Sequence, residues 1–394
     1  MHTPPLAKLR HRSVRAGGTA LLGITALTAA GACTSAQLRP PSPTQTSAAR
    51  DAGLPERLSD AEYWKLLSDV SEPGGHFRLE DNYTSNEMEV GQLATALRAR
   101  HVAGGVYLGV GPEQNFTYIA AIRPRMAFVV DIRRQAVTQH LMYKAMFEMA
   151  RDRAEFVSLL FARPRPANVD AATPIQRLWE LYDAVPSDSA MARANYARVV
   201  ERITRTHGFP LTAEESAQLR RVFDAFVSYG PGITTRGGPD FRGGGRGFSA
   251  LTGSSLDSLG QPQSFLSSEE NYRFVKSLHE RNLIVPVSGD FAGPNAIRAI
   301  GAYVAEHGAV VSAFYVSNVE QYLFMDGKQH AFYDNVAALP VDSASVFIRP
   351  YSMRRRMGGG DGGATRSLCP IAPFLRAVAA GAVTSNEAAL ACSL

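Results

Sequence analysis

A pair of glycines and an acid have the spacing of a nucleoside-binding cleft. Gly109 and Gly111 end a short apolar run, and Asp131 ends the next apolar run along the chain. Glycine lets the backbone turn tightly and approach a ligand closely, and the helix that follows would offer free N–H groups. An acid about twenty residues on is placed to accept hydrogen bonds from ribose hydroxyls. The spacing therefore predicts a cleft for a nucleoside-type ligand.

Polar side chains beside the glycines leave two interpretations open. Glu113, Gln114 and Asn115 begin the following helix and Arg133 follows the acid, so in the first interpretation they add contacts to the ligand. Gln114 stands where a dinucleotide-binding loop has its third glycine, which makes a dinucleotide the weaker prediction. In the second interpretation the glycines only join a strand to a helix, and Asp131 pairs with one of the arginines just after it.

Two further polar residues are predicted to reach the same cleft. Asp290 follows a third apolar run, and Asn318 follows a fourth. Ligands in open α/β sheets bind beyond the carboxyl ends of the strands, so either residue is predicted to face a substrate and to act in catalysis. The chain has neither the G-x-S-x-G elbow of a serine hydrolase nor a zinc-ligand spacing of Cys and His, and we predict no metal site.

Five short apolar runs alternate with amphipathic helical patterns. Buried parallel strands with helices on both faces produce this alternation. We therefore predict an α/β fold with a doubly wound, mostly parallel, Rossmann-like sheet, interrupted by a helical and glycine-rich insertion at about residues 170–265. The predicted strands are 105–108, 126–130, 283–287, 310–316 and 345–348.

The glycine turn and the acid resemble the cofactor-binding unit of class I methyltransferases, which use S-adenosylmethionine (SAM). Longer stretches of the chain also resemble an uncharacterised bacterial family with a SAM-methyltransferase-like fold. This resemblance covers about residues 60–350 and implies a methyltransferase type of sheet with SAM as the cofactor, but it implies no particular reaction. The segments that carry it are 71–75, 107–119, 131–134, 289–294 and 317–322.

The chain departs from the methyltransferase pattern at two positions. Tyr107 stands where that pattern has an acid before the first glycine, and Glu113 stands where it has a further glycine. Two functions follow. The first is SAM-dependent methyl transfer to an unknown small molecule or protein. The alternative is a non-catalytic binding or scaffold protein that keeps the fold, which an exported location favours because SAM is a cytoplasmic metabolite.

The first 33 residues have the order of a secretory signal. Basic residues lie between Lys8 and Arg15, an uncharged stretch follows, and small residues lead to Cys33. This order resembles a bacterial lipobox, which implies that Cys33 is lipidated and that the protein is anchored to a membrane in the periplasm or cell envelope. Secretion without a lipid is the alternative.

Composition predicts one globular body flanked by polar segments. The chain has 394 residues, of which 45% are hydrophobic, and its net charge of +5 is scattered, so no nucleic-acid partner is predicted. Residues 34–57 are rich in Pro, Ser and Thr and predict a disordered tether. Residues 58–350 would form the α/β domain, and 351–394 a glycine-rich linker with a helical tail. Cys369 and Cys392 predict a disulfide in an oxidising compartment.

Overall fold

A six-stranded sheet lies at the centre of the computed structural model. Its strands lie in the order β3-β2-β1-β4-β5-β6, and all are parallel except β6, which runs antiparallel to β5. They are β1 (Val106–Gly109), β2 (Met126–Asp131), β3 (Ile284–Ser288), β4 (Val311–Tyr315), β5 (Val346–Ile348) and β6 (Leu368–Pro370). The structure describes residues 50–51, 53–77, 81–87, 90–238, 246–349 and 367–392.

The sheet confirms the predicted α/β, Rossmann-like architecture. Each of the five predicted strands is present, and every residue of β1–β5 is buried, as expected for strands covered on both faces. The strand order is that of nucleotide-binding sheets, and the order reverses between β1 and β4. Strand β6 was not predicted, because its three residues are too short to show a period.

Pro286 lies within strand β3, where a proline would be unexpected in the middle of a sheet. Proline has no N–H to donate to a neighbouring strand, so sheets accept it mainly at their edges. Strand β3 lies at one edge of the sheet and, among the described strands, pairs only with β2, in which Val129 lies opposite Pro286. The edge position therefore explains how this sequence forms a strand.

Helices surround the sheet and begin at recognisable caps. Ser59 and Glu62 form a capping box, as do Thr212 and Glu215. The α-helices are α1 (Asp60–Val70), α2 (Val90–Ala99), α3 (Gln114–Ile122), α4 (Arg134–Met149), α5 (Arg153–Phe161), α6 (Ile175–Asp183), α7 (Ser189–Glu201), α8 (Ala213–Tyr229), α9 (Phe248–Gly253), α10 (Glu269–Glu280), α11 (Ala296–Glu306), α12 (Val319–Met325), α13 (Gln329–Ala337), α14 (Ile371–Ala379) and α15 (Asn386–Ala391).

Helices α6–α9 form the insertion between β2 and β3. The fully buried ring of Phe248 is central to its packing, with centroids of Phe161, Trp179 and Phe226 at 5.5, 5.9 and 6.1 Å. Aromatic rings at such distances favour edge-to-face contacts. The insertion is therefore a packed part of the molecule, and its helices place α8 beside the carboxyl edge of the sheet.

Residues 71–77 and 81–87 form a segment that we call the strap. It runs across the carboxyl edge of the sheet and is bonded in turn to the ends of β3, β2, β1 and β4. Its hydrogen bonds are Glu72 N–H to the Ser288 carbonyl (2.7 Å), Gly75 N–H to the Ile132 carbonyl (2.8 Å), Ser85 N–H to the Glu113 carboxylate (3.1 Å), and the Ser317 hydroxyl to the Glu87 carboxylate (2.8 Å).

Two glycines let the strap lie flat on the turn that follows β2. A Cβ atom at Gly74 would lie 2.9 Å from the Cβ of Arg134, and one at Gly75 would lie 2.6 Å from Cγ1 of Ile132. Side chains therefore do not fit at either position without a shift of the backbone. This packing explains the glycine pair in the segment 71–75.

The two ends of the described chain lie in the segments predicted as a tether and as a helical tail. Arg50 pairs with Asp342 at 2.7 Å, and Leu54 is buried, so the folded body reaches back into the predicted tether. Cys33 and the other residues before Arg50 lie outside the described residues, as do residues 350–366. In the tail, the disulfide between Cys369 and Cys392 is confirmed, with Cα atoms 5.8 Å apart.

Candidate functional site

A cavity of about 300 Å³ lies at the carboxyl edge of the sheet, where the strand order reverses between β1 and β4. Such a switch point is the usual ligand site of an open α/β sheet. The strap covers one side of this cavity, and residues after the first four strands line the other. Its polar lining residues include Asn82, Ser85, Asp131, Arg133, Asp290, Ser317 and Asn318.

The glycine turn after β1 approaches the cavity through Gly111. This residue has a φ of +79°, a conformation that favours glycine, and the nearest atom to its Cβ direction is Nδ2 of Asn82 at 3.7 Å. Gly109 lies deeper, where an added Cβ would overlap the side chain of Asn115. Of the two predicted glycines, only Gly111 lines the cavity.

Asn115, predicted to contact the ligand, lies behind the glycine turn and outside the cavity lining. Its Nδ2 donates to the carbonyl oxygens of Val110, Gly111 and Pro112 at 3.0, 3.1 and 2.7 Å. Its Oδ1 accepts from the hydroxyl of Tyr107 at 2.9 Å. The residue is fully buried, and its amide holds the turn in shape.

Glu113 and Gln114 are also buried behind the turn and do not line the cavity. The Glu113 carboxylate accepts from the backbone N–H of Ser85 in the strap at 3.1 Å. Burial raises the pKa of Glu113 to about 7, although that hydrogen bond acts in the opposite direction. Glu113 therefore fastens the strap, a role that the sequence did not indicate.

Asp131 lies at the end of β2 and lines the cavity, but its carboxylate is already paired. The guanidinium of Arg133 donates through Nε at 3.0 Å and through Nη2 at 2.9 Å, and the Arg133 backbone N–H donates at 3.0 Å. Arg133 also lies over the ring of Phe77, with 5.3 Å from Cζ to the ring centroid. Asp131 thus pairs with an arginine, as in the second interpretation of the sequence, and it also lines the cavity.

Asp290 and Asn318 both line the cavity. The Asp290 carboxylate accepts from the Ala292 N–H at 3.0 Å and pairs with Lys328 at 3.3 Å. Asn318 precedes α12, and its side chain makes no capping hydrogen bond to that helix. Asn318 is exposed, so its amide is placed to contact a ligand.

Aromatic residues that the sequence analysis missed form one wall of the cavity. Phe77 of the strap meets Tyr322 of α12 edge to face, with centroids 4.9 Å apart, and both line the cavity. Tyr322 is the last residue of the segment 317–322, which carries part of the family resemblance, so the sequence held one indication of its role. Phe77 follows the glycine pair without any periodic pattern, so only tertiary structure reveals it.

A polar groove of about 840 Å³ adjoins the cavity. His76, Phe77 and Arg133 line both spaces, and the start of α8 forms the far wall of the groove. His76 is exposed. Within the described ranges, no group of three or more His, Cys, Asp and Glu side chains could hold a metal ion. None of the helices described there has the length and apolar character needed to span a membrane.

Comparison with known proteins identifies one family. No curated protein matches the chain. The family described as a domain of unknown function (DUF7790) matches residues 83–205 and 252–364. These two ranges include strands β1–β5 and most of the cavity lining, and they leave out α8 and much of the glycine-rich loop. Because the match covers more than half of the chain, the protein belongs to the DUF7790 family.

Proposed function

We propose that the cavity binds a nucleoside-type ligand, with its ribose beside Asp131 and the glycine turn. The observation that carries this proposal is the position of the cavity at the reversal of strand order, beside the glycine turn after β1 and among polar residues that follow β2, β3 and β4. Its volume of about 300 Å³ is at the lower end of the range for ligand pockets, roughly 300–1,000 Å³. A single nucleoside suits that volume better than a dinucleotide.

SAM is the first nucleoside to test, because the glycine turn resembles that of methyltransferases. The residues present fit its nucleoside part only. Asp131 has already used three of about four acceptor positions on Arg133. In β1, Tyr107 stands where the methyltransferase pattern has an acid. Its hydroxyl is buried and donates to Asn115, so it does not replace that acid in the cavity. We therefore derive no methyl-transfer step from these residues.

A binding protein without transferase activity is the second candidate function. The observation that favours it is the state of Asp290, one of the two residues predicted to act in catalysis, which is engaged by Lys328 and by a backbone N–H. Incubation with methyl-labelled SAM and cell-envelope extract separates the two functions. Label transferred to an acceptor supports a methyltransferase, and binding without transfer supports a binding protein.

Calorimetry with SAM, S-adenosylhomocysteine, adenosine and NAD tests the nucleoside proposal. Asp131→Asn keeps the size of the side chain and removes its charge, so we expect affinity to fall by about 1.5–3 kcal/mol, the range for hydrogen bonds to charged groups. Asp224→Asn, an exposed change on α8, is the matched control and should bind like the wild type. Failure of every nucleoside to bind the wild type would contradict the proposal, as would unchanged affinity in Asp131→Asn.

We further propose that the protein is exported and anchored through a lipid on Cys33. The basic segment between Lys8 and Arg15 and the small residues before Cys33 support this proposal. Mass spectrometry of the mature N-terminus should find a diacylglyceryl-modified Cys33. A retained Met1, or an unmodified start at another residue, would contradict it.

A further inference from the structure

A small void adjoins the cavity beside Gly111 and Pro112, against the first turns of α4. Its volume is about 10 Å³, which is about the space that one water molecule needs. Asn82, Gly111, Pro112 and Arg133 line both this void and the cavity. The remaining walls come from one side of α4, namely Gln135, Ala136, Gln139 and His140.

Two buried polar atoms of the residues that line this void have no hydrogen-bond partner among the described residues. They are Nε2 of Gln135 and Nδ1 of His140, and the two residues are only 7% and 2% exposed. A buried polar atom without a partner costs roughly 1–3 kcal/mol, so nearly all such atoms in native proteins bind protein, water or a ligand. The two atoms therefore point to a missing partner.

The hydrogen-bonding character of both atoms is fixed. Nε2 of His140 lies 2.9 Å from the carbonyl oxygen of Gly111, which can only accept, so Nε2 carries the ring proton. Burial lowers the pKa of His140 and keeps the ring neutral, which leaves Nδ1 as an acceptor. The Gln135 amide nitrogen is a donor. One donor and one acceptor suit neither a bare cation nor an anion, and they match a hydroxyl group.

We propose that this void is a hydroxyl site, in which one oxygen accepts from Gln135 Nε2 and donates to His140 Nδ1. A water molecule fills the site in the free protein, and a ribose hydroxyl of the ligand displaces it. The ligand half of this proposal rests on the proposed function. The position of the hydroxyl site fits this role, because Gly111 and residues shortly after Asp131 line it. The proposed function places the ribose beside the same residues.

A ligand-free crystal structure at high resolution tests the site independently of any ligand. We expect an ordered water within hydrogen-bonding distance of both Gln135 Nε2 and His140 Nδ1 in the wild type. Gln135→Met has a similar length and lacks the donor, so its structure should lose this water. An empty void in the wild type overturns the proposal. Gln135→Leu provides a second variant if the first fails to fold.

Calorimetry with adenosine, 2′-deoxyadenosine and 3′-deoxyadenosine tests the ligand half. We expect the wild type to bind one deoxy analogue about tenfold more weakly than adenosine, because that analogue lacks the hydroxyl that bonds to Gln135 and His140. Gln135→Met keeps only the bond to His140, so it should discriminate between that analogue and adenosine less than the wild type does. The exposed Gln176→Met is the matched control and should keep the tenfold preference.

The two experiments separate the possible failures. If all three nucleosides bind the wild type equally, the displacement by a ribose hydroxyl is overturned, even if the water is present. If no nucleoside binds, the proposed nucleoside function fails, and the crystal structure alone decides whether Gln135 and His140 form a hydroxyl site.

Discussion

Asn115 is the residue that most strongly determines the shape of the glycine turn. Replacing it with Leu keeps the volume but leaves the Tyr107 hydroxyl and the turn carbonyls without their partner. Each buried group left unpaired costs roughly 1–3 kcal/mol, so we expect Asn115→Leu to lower the free energy of unfolding by at least about 2 kcal/mol. Urea unfolding monitored by circular dichroism measures this change.

Tyr107→Phe is the matched control, because it removes only one hydrogen bond of the same group. It should cost about 1 kcal/mol. Equal losses in the two variants would mean that the contacts of Asn115 with the turn contribute nothing to stability.

Residue positions in the site were predictable where they depend on strand ends. Apolar runs mark those ends, so the sequence alone predicts one edge of the sheet for Gly111, Asp131, Asp290 and Asn318. The direction of a side chain depends on tertiary contacts that leave no pattern in the sequence. For this reason the inward turn of Asn115 was not foreseen, and the sequence left open whether Asp131 pairs with an arginine or contacts a ligand.

At the scale of elements, the strap decides how closed the cavity is. Two carboxylates fasten it. That of the buried Glu113 accepts from the Ser85 N–H, and that of the half-buried Glu87 accepts from the hydroxyls of Tyr315 and Ser317. Neither carboxylate has an ion-pair partner among the described residues. Burial raises the pKa of both carboxyl groups, since a buried charge without a counter-charge is unfavourable.

Closure of the strap is therefore expected to depend on pH. The pKa of Glu113 is raised to about 7 with the strap closed, against about 4.3 for a hydrated glutamate. A raised pKa means that closure of the strap favours the protonated form of Glu113. Protonation of Glu113 therefore stabilises the closed strap fully below about pH 4, and this stabilisation is lost as the pH rises through about 7. The protection factor of the Ser85 amide in hydrogen exchange should fall between about pH 6 and 8.

Glu113→Gln should remove most of this pH dependence, because the amide oxygen still accepts from Ser85 but does not titrate. The Gly75 amide, bonded to the Ile132 carbonyl at the other end of the strap, is the internal control and should keep a constant protection factor. A Ser85 protection factor that does not change with pH in the wild type would contradict the prediction. The titratable group that faces Glu113 from α4 is Tyr143.

At the scale of the whole molecule, the sheet was predictable and the docking of the insertion was not. The sheet was predictable from the alternation of apolar runs with amphipathic helices, because parallel strands covered by helices on both faces produce this pattern. The insertion packs through long-range contacts, among which His207 is central. Its Nδ1 lies 2.8 Å from Asp60 of α1, and its Nε2 lies 2.7 Å from Glu148 of α4.

These contacts join the insertion to the helices beside β3 and so hold α8 in place at the groove. Lys144 also donates to Glu148 at 2.7 Å. If His207 were neutral, Glu148 would therefore lose one positively charged partner and keep Lys144. Burial alone would lower the pKa of His207, but the hydrogen bonds and charges of Glu148 and Asp60 outweigh burial and raise it.

We expect the docking of the insertion to weaken as the pH rises. A histidine whose pKa is raised in the folded protein stabilises it fully below the unfolded value of about 6.5, and this contribution is lost as the pH rises through the folded value. His207→Gln keeps at most one of the two hydrogen bonds and cannot be charged. Urea unfolding at about pH 6 should show the variant less stable by about 1–2 kcal/mol, with a smaller difference at about pH 8.5. The exposed His330→Gln should match the wild type at both pH values. The His207 ring also stacks on Phe209, with centroids 5.0 Å apart. A His207→Gln deficit that does not shrink with rising pH would show that the histidine acts through this packing rather than through charge.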